Sequence, residues 1–350
     1  KFFIKSEKLV NKPNKELVPR GISPRSPRYN AHLGPYIKKV EKVIYKDINK
    51  LFGQITICKG LNSRQRGRAL RANWDMFDKP VAIGIDASRF DQHVSEQALK
   101  WEHSVYCTYF RHHPELEALL RRQLDNRFVC YLQNHKIEFR RKGMRCSGDM
   151  NTSLGNCLLM SSMVHSYCRG RFTKFQLVND GDDCVLFIES KELHKVATLH
   201  EFMTDFGFNI KIEEPQTIFE KVEFCQTQPV WTGEEWIMVR NPTIAMAKDT
   251  TTHYDIKDTS GYRKWLRDVG MCGMSLTGGI PVMQDYYNLL IEAGLERKNK
   301  PERIPETGME FLARGMNREY REPTVEARVS YWRAFGLCPN RQVQYEKWLR

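Results

Sequence analysis

No stretch of this sequence approaches the roughly 20 apolar residues that a membrane-spanning helix needs, and no basic-then-apolar leader opens it, so no helical anchor is expected within it. Cysteine spacing of the zinc type is missing too. The ten cysteines include no C-x-x-C pair and no His–Cys cluster at zinc-like intervals, which leaves reduced thiols as the expectation. Cys146, Cys157 and Cys168 recur at one helix-face spacing, where packing accounts for them. Acidic residues are scarce at the start: residues 1–45 carry eleven Lys or Arg against three acids, Glu7, Glu16 and Glu41. Most of the net charge of +13 is concentrated there. There is no internal repeat, no low-complexity tract and no initiator Met before Lys1-Phe2-Phe3, so a piece of a longer product is expected.

Length and positive charge are what the chain has in quantity. A sequence of 350 residues exceeds what a single core usually serves, and more than one packed unit is expected. A basic excess of this size suits a polyanionic partner.

Turn formers among basic residues make 1–36 read as an extended, looping segment. From Tyr36 to Phe52, Ile37, Val40, Val43, Ile44, Ile48 and Leu51 repeat at three and four, predicting a helix that stops at Gly53. Val81-Ala-Ile-Gly-Ile85 is a buried-strand pattern that delivers Asp86 at its end. A helix follows from Ser95 to about Phe110, with Leu99, Glu102, Val105 and Tyr109 along it. Residues 111–145 mix charge with β-formers. After Gly148 a helix is expected with Asn151 and Thr152 in its first turn. The runs Phe175–Asn179 and Cys184–Ile188 around Asp180-Gly-Asp-Asp183 read as a β-hairpin. A helix over Leu193–Phe206, a strand at Asn209–Ile212, helices beyond 260 and a charged linker at 296–305 complete the pass.

Three polar blocks carry chemistry by their order: Asp86-Ala-Ser-Arg-Phe-Asp91, Ser147-Gly-Asp-Met-Asn-Thr-Ser-Leu-Gly-Asn156 and Gly181-Asp182-Asp183. An Asp-Gly turn alone is an ordinary hairpin signal, and Ser, Asp and Asn are good helix N-caps. An acidic pair at a turn is nevertheless repulsive unless a cation offsets it. Together the blocks resemble motifs A, B and C of viral RNA-dependent RNA polymerases, most nearly the replicases of tombusvirus- and carmovirus-type positive-strand plant viruses, over about residues 1–230.

The resemblance implies an α+β right-hand polymerase of palm, fingers and thumb, with an antiparallel palm sheet flanked by helices. It implies partial fingers at 1–80 (motif F), palm at 81–110 (motif A), a fingers insertion at 111–146, palm at 147–240 (motifs B to E) and thumb at 241–350; upstream fingers and motif G are expected to be missing. Asp86, Asp182 and Asp183 would hold Mg²⁺, with Mn²⁺ an alternative. Asp91, Ser147, Gly148, Thr152 and Asn156 would read the ribose and flank the template; a reverse transcriptase would carry an aromatic in place of Asp91. Lys5, Arg20, Arg25 and Arg28 would bind the triphosphate, Lys211 (motif D) would protonate the leaving pyrophosphate, and Phe224 and Cys225 (motif E) would support the product end. The implied partners are RNA template, nascent RNA, nucleoside triphosphates, a viral auxiliary replication protein and host factors. The implied setting is membrane-associated replication complexes in the host cytoplasm, with initiation independent of a primer. Two rivals are a reverse transcriptase and a non-catalytic RNA-binding protein whose acids are structural.

Overall fold

The computed structural model describes residues 2–8, 18–296 and 308–350, so the expected charged linker lies almost wholly outside it. These residues form two compact units that do not follow sequence order. The first holds 2–6, 18–57 and 77–215; the second holds 7–8, 58–76 and the described residues from 216 onward. The segment Cys58–Met76, expected with the first 80 residues, thus groups with the chain beyond Gln216.

In the first unit, strands β1 (Phe3–Ile4) and β2 (Gly21–Ile22) form a short antiparallel pair. The helix Pro27–Phe52 begins nine residues earlier than its apolar repeat predicts. Pro27 has the fixed φ that a first helical turn accepts, and the Ser26 side chain accepts from the Tyr29 amide at 3.2 Å, so basic, proline-rich sequence still starts a helix. Gly53, at φ 76°, ends it. Leu33, Ile37, Val40, Ile44, Ile48 and Phe52 make the buried stripe, while Val43 and Leu51 face out.

The sheet that shares a core with that stripe runs in the order β6-β7-β3-β8, antiparallel throughout: β3 is Pro80–Ala87, β6 Phe175–Asn179, β7 Asp183–Glu189 and β8 Ile210–Ile212. Helices Glu96–Tyr109, Pro114–Arg121 and Thr152–Cys168 share its core. Ser95 caps the first of these through the Ala98 amide at 3.1 Å. The region 111–145 resolves into the helix Pro114–Arg121 and a hairpin of β4 (Asp125–Leu132) and β5 (His135–Lys142). The expected helix over Leu193–Phe206 is split, with 3₁₀ turns over Ser190–Thr198 and an α-helix only over Leu199–Asp205.

The second unit is built on the hairpin of β9 (Thr227–Trp231) and β10 (Trp236–Arg240). The helix Ser63–Trp74 lies against β10, with the Ser63 hydroxyl donating to the Met238 carbonyl at 2.6 Å. Helices Thr259–Thr277 and Met283–Ala293 pack where Gly273 lies against the Tyr287 ring; a Cβ there would come within 2.2 Å of it. Of the tryptophans beyond residue 260, Trp265 is buried, whereas Trp332 and Trp348 are exposed.

Candidate active site

The floor of the site is the β3–β7 ladder. Asp86, one residue from the end of β3, is the direct register partner of Asp183, the first residue of β7. The next amide on β3, that of Ala87, donates to the Asp182 carbonyl at 3.2 Å. On the other side of β3, Asp86 is paired with Lys211 of β8. Positions almost a hundred residues apart thereby come into neighbouring register.

The turn that carries Asp182 is held by a residue the sequence reading passed over. Asn179 is fully buried, accepts from the Gly181 amide at 2.6 Å through Oδ1, and donates through Nδ2 to the Cys157 carbonyl at 3.1 Å and to Ser161 Oγ at 2.9 Å. Gly181 takes φ 106°, open to glycine, so the turn suits this residue. Below the turn, burial and then the negative fields of Asp183, Asp182 and Asp86 push the Cys184 thiol well above its ordinary range. All three carboxylates therefore act on one point. Asp86 and Asp182 are exposed and Asp183 is half-buried, and hard oxygen donors of this kind suit Mg²⁺. Lys211 is exposed, with its ammonium 3.6 Å from Glu213.

A second group sits at the start of the helix Thr152–Cys168. The Asp91 carboxylate accepts from Ser147 Oγ and, at 2.8 Å, from Asn156 Nδ2. Asn156 is buried, and its enclosed Oδ1 has no hydrogen-bond partner among the described residues. Thr152 does not join this trio. Its hydroxyl donates to the Asp149 carbonyl at 2.9 Å and lies 3.2 Å from that of Cys146, which makes it part of the helix start.

The loop Ser147-Gly148 rests on the N-terminal segment. The Ser23 amide donates to the Ser147 carbonyl at 2.8 Å, and Gly148 has φ 121° with Pro24 so close that a Cβ would meet its Cα at 3.1 Å. Lys5 and Arg20 extend the β1–β2 pairing through an amide-to-carbonyl bond of 2.7 Å, so both exposed cations emerge side by side on the backbone. Arg28 is exposed in the first turn of its helix.

Arg25, expected on the triphosphate track, is instead committed to the protein. Its Nε donates to Asp149 Oδ1 at 2.5 Å and its Nη2 to Asn126 Oδ1 at 2.7 Å, because the buried Asp149 carboxylate needs a cation. In the second unit, Phe224 is fully buried and so packs rather than presenting a surface, while Cys225 is half-exposed in a tight turn at φ 52°.

Behind the trio lies a buried polar cluster that sequence reasoning missed: Glu102, Arg145, Asn151, Tyr106, Gln123 and His103. One signal was available, since Glu102 interrupts the otherwise apolar stripe of its helix. Sequence spacing disclosed no His–Cys grouping either, yet Cys107, His112 and Glu117 bring ligand atoms within 4.8 Å of one another. Arg111 and His112, at φ 48° and 55°, turn the chain back to do so. His112 Nδ1 and Glu117 Oε1 already satisfy each other at 3.0 Å, and a buried thiol is a poor partner for Mg²⁺.

Comparison with known proteins decides the family. The model of the family described as viral RNA dependent RNA polymerase matches residues 1–350. The chain belongs to that family. It is 42% identical, over 99% of its length, to the RNA-directed RNA polymerase of Tobacco necrosis virus (strain A), covering 48% of that protein. The corresponding polymerase of Carnation mottle virus is 40% identical over 100% of this chain and 46% of its own length. That of Tomato bushy stunt virus (strain Cherry) is 41% identical over 98% and 42%. The chain spans about half the length of the curated relatives it matches. The likeness to tombusvirus- and carmovirus-type replicases, drawn above from three short blocks, extends along the whole chain.

Proposed function

We propose that this chain is the catalytic portion of an RNA-dependent RNA polymerase that copies a positive-strand viral RNA by two-metal nucleotidyl transfer. The observation that carries the reading is the direct pairing of Asp86 with Asp183, with Asp182 in the adjoining turn. Asp86, Asp182 and Asp183 would hold Mg²⁺, or Mn²⁺ in its place. Ions bound there would stabilise charge on the entering and leaving oxygens of the displacement.

The chain's own groups supply the rest. Asp91 fixes Ser147 and Asn156, and this hydrogen-bonded trio reads the ribose hydroxyl, the group that distinguishes a ribonucleotide from a deoxyribonucleotide. Lys5 and Arg20, with Arg28, draw the triphosphate by charge and by the forked donors of arginine. Lys211, register partner of Asp86, would protonate the leaving pyrophosphate. In this reading the β6-β7-β3-β8 sheet is the palm, the β4–β5 hairpin belongs to the fingers and the helices beyond 241 to the thumb, with the turn at Cys225 supporting the product end. Initiation is without a primer. The work is done with an auxiliary viral protein and host factors in membrane-associated complexes of the host cytoplasm, reached through regions or partners outside this chain.

The test is RNA synthesis by the purified protein on an RNA template, with Mg²⁺ and no primer, beside Asp182→Ala. Synthesis disappears in the variant while RNA binding persists and weakens steeply with salt, through counterion release. Undiminished synthesis in Asp182→Ala would overturn the reading; preference for deoxyribonucleotides would turn it into a reverse transcriptase.

A further inference from the structure

We infer that Glu102, a buried carboxylate that touches no substrate, is the positioning residue that fixes the ribose-facing trio; the inference rests on the ribose reading above. Glu102 lies on the helix Glu96–Tyr109 with no solvent exposure. Its Oε1 accepts from Tyr106 Oη at 2.7 Å, from Asn151 Nδ2 at 2.7 Å and from Arg145 Nη1 at 3.2 Å, and its Oε2 accepts from Arg145 Nη2. Each of the two longer-range donors leads to a member of the trio.

Arg145 stands two residues before Ser147, and its own amide donates to the Asp91 carbonyl at 2.9 Å. Asn151 is the N-cap of the helix that carries Asn156. That helix also meets Glu102 through its backbone: at Gly155, next to Asn156, a Cβ would stand 2.4 Å from both Glu102 Oε1 and Arg145 Nη2. One carboxylate thus ties the loop bearing Ser147, the helix bearing Asn156 and, through Arg145, the short helix Phe90–His93 that bears Asp91.

A buried ion pair adds little to stability compared with apolar packing, but a half-broken one leaves a charge stranded. Its value here is geometric. The Glu102 oxygens fix the arginine fork and the asparagine amide in one arrangement, so the spacing of Asp91, Ser147 and Asn156 is set from beneath. Asp86 and Asp183 are set by the main-chain pairing of β3 with β7, and Asp182 by the turn between β6 and β7 that Asn179 holds. Loss of the Glu102 charge therefore relaxes recognition of the sugar more than the capacity for chemistry.

The experiment measures kcat/KM for a ribonucleotide and its deoxy counterpart on the same RNA template. The proteins compared are wild type, Glu102→Gln, Asn151→Ser and Asp91→Asn, each checked for folding by circular dichroism. In Glu102→Gln the ribo-over-deoxyribo ratio falls by about tenfold, the low end of what loss of a residue that orients a metal ligand costs, and kcat for the deoxy substrate stays within about threefold. Should Glu102→Gln fail to fold, Asn151→Ser cuts one tie and leaves the ion pair whole; its ratio falls in the same direction. A ratio unchanged in the Glu102 and Asn151 variants but lowered in Asp91→Asn overturns the inference and leaves the ribose reading standing. A ratio unmoved in all three overturns both.

Discussion

Asp86 and Asp183 face each other directly across the β3–β7 ladder, where opposed side chains have Cβ atoms only about 4.5–5.5 Å apart and like charges destabilise the pair. A bound divalent cation reverses that sign. With the ion chelated away, Asp183→Asn is therefore expected to be more stable than wild type by about 0.2–1 kcal/mol. Adding Mg²⁺ raises the melting temperature of the wild type but not of the variant, since only a state that binds gains from mass action. Scanning fluorimetry across a Mg²⁺ series, with and without EDTA, reads both effects. Equal Mg²⁺ increments in the two proteins would place the ion elsewhere.

Gly155 has no room for a side chain. Its Cβ position lies 2.4 Å from Arg145 Nη2 and Glu102 Oε1, both pinned in the interior. Gly155→Ala should cost about 1–3 kcal/mol, the usual penalty for overpacking, against the modest gain an alanine normally brings inside a helix. Urea unfolding of the two proteins measures it, and a stabilised variant would mean that the Glu102–Arg145 pair yields easily.

Sequence pattern revealed the elements that local chemistry dictates. The run ending at Asp86, the turn before Asp183 and the cap at Ser95 depend on neighbours within a few residues, and each is found where it was expected. The trio of Asp91, Ser147 and Asn156 was reached through resemblance, and two of its hydrogen bonds are now on view. What escaped were long-range pairings. Arg25 looked like one more cation in a basic run, yet its partner Asp149 is more than a hundred residues away, in the loop before the helix Thr152–Cys168. Glu102 and Arg145 read as two charges in separate segments, although each is buried by the other. Grouping of Cys58–Met76 with the later chain was equally hidden, because helical periodicity does not say which surface a helix covers.

His103 gives the fold a pH response of its own. It is buried, its Nε2 lies 3.1 Å from Gln123 Oε1, and burial lowers its pKa despite the opposing pull of Glu102. The unfolded chain, with an ordinary histidine near pKa 6.5, takes up the proton first as pH falls. The contribution of neutral His103 is thus complete above about pH 6.5 and declines below it towards the folded pKa, at no more than about 1.4 kcal/mol per pH unit. Denaturant unfolding of wild type and His103→Gln between pH 8 and 5 should show the wild type losing stability the faster on the acid side. Parallel curves would show that the imidazole titrates alike in both states.

Arg25 and Arg28, three residues apart in the same basic segment, should fail in opposite ways. Arg25 is mostly buried against Asp149, whose side chain is only 2% exposed, so Arg25→Ala strands a carboxylate. The loss should be about 2–3 kcal/mol, below the 3–5 kcal/mol of a fully enclosed pair because the arginine keeps some solvent. The same change loosens the contact between the Ser23 segment and the Ser147 loop, so kcat falls with stability. Arg28 is exposed, and Arg28→Ala should leave unfolding within about 0.5 kcal/mol of wild type. Its effect is on the KM for nucleoside triphosphate, which rises and does so more at low ionic strength, where an exposed cation acts over a longer range. Urea unfolding paired with steady-state kinetics at two salt concentrations separates the two. A stable Arg25→Ala protein with only a raised KM would return that guanidinium to the triphosphate and leave the Asp149 contact without structural weight.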